Sequence, residues 1–124
     1  MTYAEAERYL LSLELFGMRF GLDRMRRLMT ALGSPQERYG TIHVAGTNGK
    51  SSTVRMAAAI LARHGLRAGS YLSPHLVSFT ERIRVDDDDL SEERFAAGVA
   101  RAKRAAERSI ERSRRATASP SSRR

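Results

Sequence analysis

Apolar positions in the first third of the chain recur at the spacing of two amphipathic helices. Thr2 and Glu5 have the form of a capping box, which predicts a first helix that runs to about Leu15. A second apolar stripe predicts another helix, which Gly33-Ser34-Pro35 ends. The two stripes consist of Ala6, Tyr9, Leu10, Leu13 and Phe16, and of Leu22, Met25, Leu28, Met29 and Leu32. Most of these side chains, the methionines included, are expected to be core packing.

The middle of the chain changes from helical spacing to a strand pattern and back. Ile42 and Val44 indicate a short buried strand, residues 50–64 a helix capped by Gly65, and residues 67–72 a second strand. A strand, a helix and a strand in this order predict a parallel βαβ unit with a right-handed crossover. The predicted fold class is therefore α/β, a parallel sheet with flanking helices.

The last third reads as an extended segment, an acidic turn and a helix. Residues 81–85 are typical of a short strand or extended loop, and Ser91 is typical of an N-cap before a helix that carries Phe95 and Val99. Four aspartates occupy residues 86–89. Consecutive residues direct their side chains differently, so the pattern favours a solvated turn over a metal site.

The segment from Thr41 to Ser52 has the pattern of a strand, a tight glycine turn and the start of a helix. Glycines in the turn let the backbone approach an anion, and backbone amides at a helix N-terminus bind phosphate. Lys50 would neutralise β- and γ-phosphate charge and is the candidate catalytic residue, while a serine hydroxyl would reach phosphate or Mg²⁺. The candidate nucleotide-binding residues are Gly46, Thr47, Asn48, Gly49, Lys50, Ser51 and Ser52.

A complete P-loop would have glycine where this chain has Val44, so only the second half of that motif matches. An ordinary strand-turn-helix is the alternative interpretation. The strand before the turn and the periodic run after it favour nucleotide binding.

Composition narrows the possible partners. The 124 residues include no cysteine and no apolar run long enough to span a membrane, which makes a cytoplasmic protein the default expectation. The formal charge is +8, but residues 101–124 contain nine basic and two acidic residues and no aromatic one. Nucleic-acid-binding domains spread basic residues and aromatics over a folded face, so a nucleic-acid partner is not favoured.

Two motifs together resemble a known enzyme family. The stretch His43 to Ser52 resembles the P-loop of the Mur ligase superfamily, and residues 71–76 with 79–83 look like the Ser-Pro-His-Leu and Glu-Arg-Ile signature of folylpolyglutamate synthase and dihydrofolate synthase. The resemblance runs to about Ala106. It implies a P-loop NTPase-like sheet, the Mur ligase central domain, here incomplete. It also implies an ATP- and Mg²⁺-dependent ligase, monomeric at full length, that joins L-glutamate to dihydropteroate or folate through an acyl phosphate.

The resemblance also implies site residues. Ser73, with Ser52, would ligate Mg²⁺, and seven residues would contact substrate: Gly21, Leu22, Asp23, Arg24, His75, Glu81 and Arg82. Alternatives from the residues themselves stay open. Asp23 suits the first turn of a helix and Arg24 a solvated position. A lone loop histidine such as His75 is more often structural than catalytic.

Past Arg108 the chain departs from the family pattern. Residues 1–108 are expected to be the N-terminal part of the ATP-binding domain, and residues 109–124 a basic low-complexity tail that is disordered or at best a frayed continuation of the preceding helix. The family would continue with an acidic Mg²⁺ ligand and further domains. The sequence therefore predicts a piece that is truncated or shifted in reading frame and is inactive alone.

Two rival functions remain. A ligase that adds an amino acid to a UDP-N-acetylmuramoyl substrate shares the P-loop, although the segment Ser73-Pro74-His75-Leu76 argues against it. A non-enzymatic nucleotide- or nucleic-acid-binding module would instead use the basic tail, with salt-sensitive affinity.

Overall fold

The structure, a computed structural model, describes residues 1–14 and 22–118. Within these two ranges, four helices and three short strands follow one another, with two 3₁₀ turns at Pro35–Arg38 and Phe79–Arg82. The predicted helix end at Leu15 and the candidate residue Gly21 lie outside the described residues. In chain order the elements are α1 (Tyr3–Glu14), α2 (Asp23–Ala31), α3 (Lys50–Arg63), β1 (Gly69–Tyr71), β2 (Ile83–Val85), β3 (Asp88–Asp89) and α4 (Glu92–Ala118).

The helix boundaries confirm the capping signals. The Thr2 amide donates to Glu5 Oε2 at 2.7 Å and the Glu5 amide donates to Thr2 Oγ1 at 3.2 Å, which makes a complete capping box at the start of α1. Gly65 follows α3 with a φ of 80°, the left-handed conformation expected of a glycine cap. Ser91 accepts a hydrogen bond from the Arg94 amide at 3.3 Å at the start of α4.

The sheet differs from the expected parallel βαβ unit. Its strand order is β1-β2-β3 with antiparallel pairing throughout, and Tyr71 lies opposite Ile83. Among the described residues, 41–45 form no strand, and Ile42 is 69% exposed. Apolar alternation identifies residues able to form a strand but does not identify the partner. Here β1 pairs with β2, and a connection too short for a parallel crossover gives the antiparallel arrangement.

The run of four aspartates does form a turn. Asp86 and Asp87 have φ values of 52° and 68°, so they are the two central residues of a tight hairpin between β2 and β3. Arg84 crosses the hairpin, donates to Asp89 Oδ1 at 2.9 Å and also donates to the Asp87 carbonyl. The turn is thus held by an arginine that the sequence pattern did not single out.

The core lies where α1 and α4 pack together beside the sheet. Ala6 and Phe95 are 0% and 5% exposed, and Phe79 and Ile83 pack against them from the 3₁₀ turn and from β2. Helices α1 and α2 both contact α4, whereas α3 contacts β1. The segment 73–83 is therefore attached to the best-buried part of the described chain.

Helix α4 continues beyond the stretch with a periodic apolar face. Of the two expectations for residues 109–124, disorder or a frayed continuation of the preceding helix, the structure has the continuation as far as Ala118, and residues 119–124 lie outside the described residues. An ion pair of 2.6 Å joins Glu111 to Arg115 one turn later. Arginine and alanine propagate a helix well, which offsets the missing apolar face. No helix in residues 1–14 and 22–118 is long and apolar enough to cross a membrane.

Candidate functional site

The glycine turn stands at the N-terminus of α3 and faces solvent. Gly46 and Gly49 have φ values of 152° and 74°, which L side chains rarely adopt, so glycine is required for this path of the backbone. Lys50 folds back over the turn, and its Nζ donates to the Gly46 carbonyl at 2.5 Å. The whole candidate set, Gly46, Thr47, Asn48, Gly49, Lys50, Ser51 and Ser52, is exposed. These seven residues are called the glycine loop below.

The glycine loop has unused hydrogen-bond donors. The first bonds within this end of α3 come from Thr53, whose amide and hydroxyl donate to the Gly49 carbonyl at 3.0 and 2.9 Å. Within the described chain, the amides of Lys50, Ser51 and Ser52 donate no hydrogen bond. Three free amides and an ammonium group around one turn are the donor set that an anionic phosphate needs.

A second loop, residues 73–82, connects β1 to β2 and is called the histidine loop below. The Leu72 amide donates to the Arg82 carbonyl at 2.8 Å and closes the base of this loop. The Ser73-Pro74 peptide is cis, and Ser73 is exposed. The side chains of Leu76 and Val77 project into solvent, with 93% and 86% of each residue exposed.

Glu81 fastens the histidine loop from within. Its Oε2 accepts from the Leu76 amide at 3.0 Å, and its Oε1 accepts from the Val77 and Ser78 amides at 2.9 and 2.8 Å. These backbone hydrogen bonds, first that of Leu76, lower the pKa of the Glu81 carboxyl below its ordinary value. Both carboxylate oxygens are therefore engaged by the loop's own backbone.

Tyr3 anchors the histidine loop to α1. Its hydroxyl lies 2.9 Å from Ser78 Oγ and accepts from the Phe79 amide at 3.1 Å. The Tyr3 ring packs against the Phe95 ring with centroids 5.6 Å apart. The sequence pattern missed this role, because Tyr3 precedes the apolar stripe of α1 and nothing local connects it to a loop more than seventy positions later.

His75 and Arg82 form a direct pair at the base of the histidine loop. Arg82 Nε donates to His75 Nδ1 at 2.7 Å, the His75 and Phe79 ring centroids are 4.3 Å apart, and Arg82 lies over the Phe79 ring at 5.1 Å. Both His75 and Arg82 are half-buried. The structure thus brings together three of the candidate substrate residues, His75, Glu81 and Arg82.

The other candidate substrate residues lie at the start of α2. Leu22 precedes the helix, and Asp23 is its first residue and lies 3.8 Å from Arg26 in an exposed ion pair. Arg24 is exposed. Such a surface pair contributes little to stability, so these positions have no strong structural role in the described fold.

The glycine loop and the histidine loop are separate in their bonding. No hydrogen bond or ion pair joins them in the described ranges, 1–14 and 22–118, although α3 packs against β1. The same ranges contain no cluster of three or more His, Asp or Glu side chains able to hold a metal ion. A parallel βαβ unit would bring the carboxyl ends of its two strands, and with them these two loops, to one edge of the sheet, but that parallel sheet is not formed in the described residues.

A glycine turn with a lysine at a helix N-terminus, in an α/β fold, is the arrangement of phosphate-binding proteins. No family model matches this chain. A "probable bifunctional folylpolyglutamate synthase/dihydropteroate synthase" of Haloferax volcanii is 42% identical over 103 residues, which is 83% of this chain and 12% of that protein. The "dihydrofolate synthase/folylpolyglutamate synthase" of Bacillus subtilis is 39% identical over 98 residues, 79% of this chain and 23% of that protein.

Solved structures give the same result. One described as an FPGS-AMPPCP-folate complex, in which FPGS is folylpolyglutamate synthase, superposes with a TM-score of 0.76 at 35% identity, over 91% of this chain and 28% of that one. The chain is homologous to part of the folylpolyglutamate synthase/dihydrofolate synthase family, whose members are ATP-dependent ligases. It spans between about an eighth and a quarter of the length of the two curated relatives.

Proposed function

We propose that this chain is part of an ATP-dependent ligase that joins L-glutamate to dihydropteroate or a folate, and that its glycine loop holds the ATP phosphates. The exposed glycine loop, with three free amides and Lys50 above them, is the observation that supports this function most directly. The similarity to a solved complex with the ATP analogue AMPPCP and folate supports it independently.

The donor set of the glycine loop fits a nucleotide triphosphate. Lys50 would exchange its bond to the Gly46 carbonyl for a phosphate oxygen, while the amides of residues 50–52 would hold neighbouring oxygens. Mg²⁺ would take the hydroxyls of Ser52 and Ser73, which are both exposed. Bound MgATP would supply the phosphoryl group that converts a substrate carboxyl into an acyl phosphate with release of ADP, and attack by the glutamate amine would then form the amide and release phosphate. This chain's part in that reaction is to position and neutralise the phosphates.

The histidine loop would face the pterin-bearing substrate. His75 and Arg82 offer polar groups there, whereas the two oxygens of Glu81 are engaged by backbone amides, so Glu81 would act by shaping the loop. The start of α2, with Leu22, Asp23 and Arg24, together with Gly21 outside the described residues, would add the remaining substrate contacts.

The central parallel sheet belongs to the same proposal. Residues 41–45 carry the apolar, β-branched pattern of a strand and yet leave Ile42 exposed. We expect this segment to pair with strands supplied by the longer protein, because the relatives are at least four times as long as the matched region. The antiparallel sheet of residues 69–89 would then lie at one side of that sheet.

The decisive experiment replaces Lys50. Lys50→Ala deletes the only ammonium group at the glycine loop, so ATP affinity measured by calorimetry should fall about 10- to 100-fold, the effect of losing one hydrogen bond to a charged group. Lys103→Ala is the matched control, because Lys103 is the other lysine of the chain and lies over the Tyr9 ring on α4. Equal ATP affinity of the two variants would contradict the proposed function.

A turnover assay tests whether the 124-residue chain contains all the residues that the ligase reaction needs. The 124-residue chain alone should release no ADP in the presence of dihydropteroate and glutamate, because it spans so small a part of its relatives. The complete gene product should release ADP with dihydropteroate or folate and fail to do so with a UDP-N-acetylmuramoyl substrate. ADP release by the 124-residue chain that depends on both substrates would show that the fragment is sufficient.

A further inference from the structure

We propose that His75 acts as a neutral hydrogen-bond donor, through Nε2–H, to an anionic oxygen of the bound substrate, and that Arg82 is the positioning residue that fixes this tautomer. The substrate part of this inference rests on the proposed ligase function. The tautomer part rests on the geometry of the histidine loop alone.

The pairing of Arg82 with His75 decides where the imidazole proton resides. An arginine guanidinium has donors only and remains protonated, so at 2.7 Å His75 Nδ1 must be the acceptor. An imidazole that accepts through Nδ1 is neutral and carries its proton on Nε2. His75 therefore presents an N–H group on the ring edge away from Arg82.

Both members of the pair are held in place. The His75 ring packs on the Phe79 ring at 4.3 Å, with 38° between the ring planes, and the Arg82 guanidinium lies over the same ring. The Arg82 carbonyl accepts from the Leu72 amide at the end of β1. Rotation of the imidazole would break the hydrogen bond and the ring contact together, so the direction of the Nε2–H group is set before a ligand arrives.

The surrounding charges favour an anionic oxygen as the ligand. Arg82 contributes a positive charge next to His75, and the nearest carboxylate in the loop, Glu81, already accepts from three backbone amides. Three of the roughly four acceptor positions of Glu81 are thus occupied by backbone amides of the loop. A carboxylate of a folate-type substrate and a phosphate of a nucleotide share the required chemistry, and experiment separates them.

The first test reads the tautomer in the intact 124-residue chain. In ¹⁵N-histidine-labelled protein at neutral pH, His75 should show a protonated Nε2 and an unprotonated Nδ1, with His43 and His64 as internal references. Arg82→Gln removes the guanidinium donor and should give a mixture of tautomers at His75 only. A His75 proton on Nδ1 in the wild-type chain, or no change in Arg82→Gln, would overturn the proposal.

The second test identifies the ligand oxygen. Dihydropteroate, folate and ATP are added separately while the His75 Nε2–H resonance is followed, and we expect a shift with dihydropteroate or folate. A shift with ATP alone would assign the donor to the nucleotide and overturn its assignment to the substrate. The absence of any shift with all three would overturn the donor role.

Two substitutions complete the test. His75→Phe keeps a ring on Phe79 without the donor and should weaken dihydropteroate binding about tenfold, whereas His75→Gln, which restores an N–H donor, should recover part of the affinity. ATP affinity should remain unchanged in both. Unaltered dihydropteroate binding in His75→Phe, with ATP binding still dependent on Lys50, would refute this inference alone. ATP binding that is independent of Lys50 would refute the proposed function instead.

Discussion

The two loops of the candidate site differ in how firmly they are held: the glycine loop makes few hydrogen bonds, and the histidine loop makes many. The glycine loop is exposed, and the hydrogen bonds that hold it are few, chiefly the one from Lys50 to Gly46 and those from the following residue, Thr53, to Gly49. The histidine loop is fastened by the three amide bonds of Glu81, by the Tyr3 hydroxyl and by ring contacts with the core.

This difference indicates how each half would meet a ligand. Free amides in the glycine loop can be satisfied by phosphate, so ligand binding should add hydrogen bonds that this loop does not make by itself. The amides of residues 76–81 in the histidine loop already donate to acceptors in the protein, so this loop should offer a preformed surface whose side-chain directions do not depend on the ligand. The following experiments test that contrast, beginning with the largest expected effect.

Removal of Phe95 should disconnect the histidine loop from the core. Phe95 is 5% exposed and contacts the Tyr3 and Phe79 rings, so Phe95→Ala should lower the free energy of unfolding by about 3–5 kcal/mol in urea titrations. Ile60→Ala on exposed α3 is the control and should change it by less than about 0.5 kcal/mol. Similar losses of unfolding free energy in the two variants would mean that Phe95 does not belong to the core of the fold.

Acidification should loosen the histidine loop while leaving the glycine loop unchanged. The pKa of Glu81 is lowered from its ordinary value of 4.5, first by the amide of Leu76 and then by those of Ser78 and Val77. A carboxyl whose folded-state pKa is lowered stabilises the fold fully above the ordinary value, and this contribution is lost as pH falls through the lowered value. Hydrogen exchange of the amides of residues 76–78, corrected for intrinsic rates, should therefore be fully protected above pH 4.5 and lose protection as the pH falls below that value.

Glu81→Gln provides the control for that pH response. In this variant the amides of residues 76–78 should be less protected at neutral pH and should no longer respond to acid. The start of α1 should still respond, since the pKa of Glu5 is also lowered, chiefly by the Thr2 amide. A loop that retains its acid response without Glu81 would show that another group holds it.

ATP binding should change amide protection in the glycine loop but not in the histidine loop. ATP should raise amide protection at residues 50–52, whose donors are free in the described fold, and should leave residues 76–78 unchanged. The Lys50→Ala variant measured in parallel should show a much smaller increase. Equal gains of amide protection in both loops would contradict the idea that ATP binding adds hydrogen bonds to the glycine loop alone.

The smallest expected effect concerns a single hydroxyl. Tyr3→Phe keeps the ring against Phe95 but leaves the Phe79 amide without its acceptor, so the free energy of unfolding should fall by about 1 kcal/mol. Tyr9→Phe, on the same helix, is the matched control. An equal change in the free energy of unfolding of the two variants would mean that the Tyr3 hydroxyl does not anchor the histidine loop.

Sequence patterns located the elements that depend on neighbouring residues. The capping box at Thr2, the glycine cap at Gly65 and the Ser91 N-cap are all determined within about one helical turn, and all three are confirmed. Similarity to folylpolyglutamate synthases also confirms the family that the two motifs indicated.

Pairings between distant residues could not be found in the same way. The antiparallel partner of β1, the Tyr3 bonds to the histidine loop and the engagement of Glu81 all depend on which segments meet in space. The period of an apolar pattern contains no information about such partners. The roles of Lys50, Ser73 and the other candidate residues stay predictions until nucleotide and substrate binding are measured.

The long helix α4 gives the molecule an electrical asymmetry. Its 27 residues extend for about 40 Å, and the part from residue 101 to residue 118 contains seven basic residues against two acidic ones. Residues 1–100 are nearly neutral, so most of the positive charge lies on this helical rod. Its arginines also interact favourably with the negative end of the helix dipole. On a cation-exchange column the protein should bind end-on through this rod and elute at a salt concentration set by those few arginines rather than by its folded body.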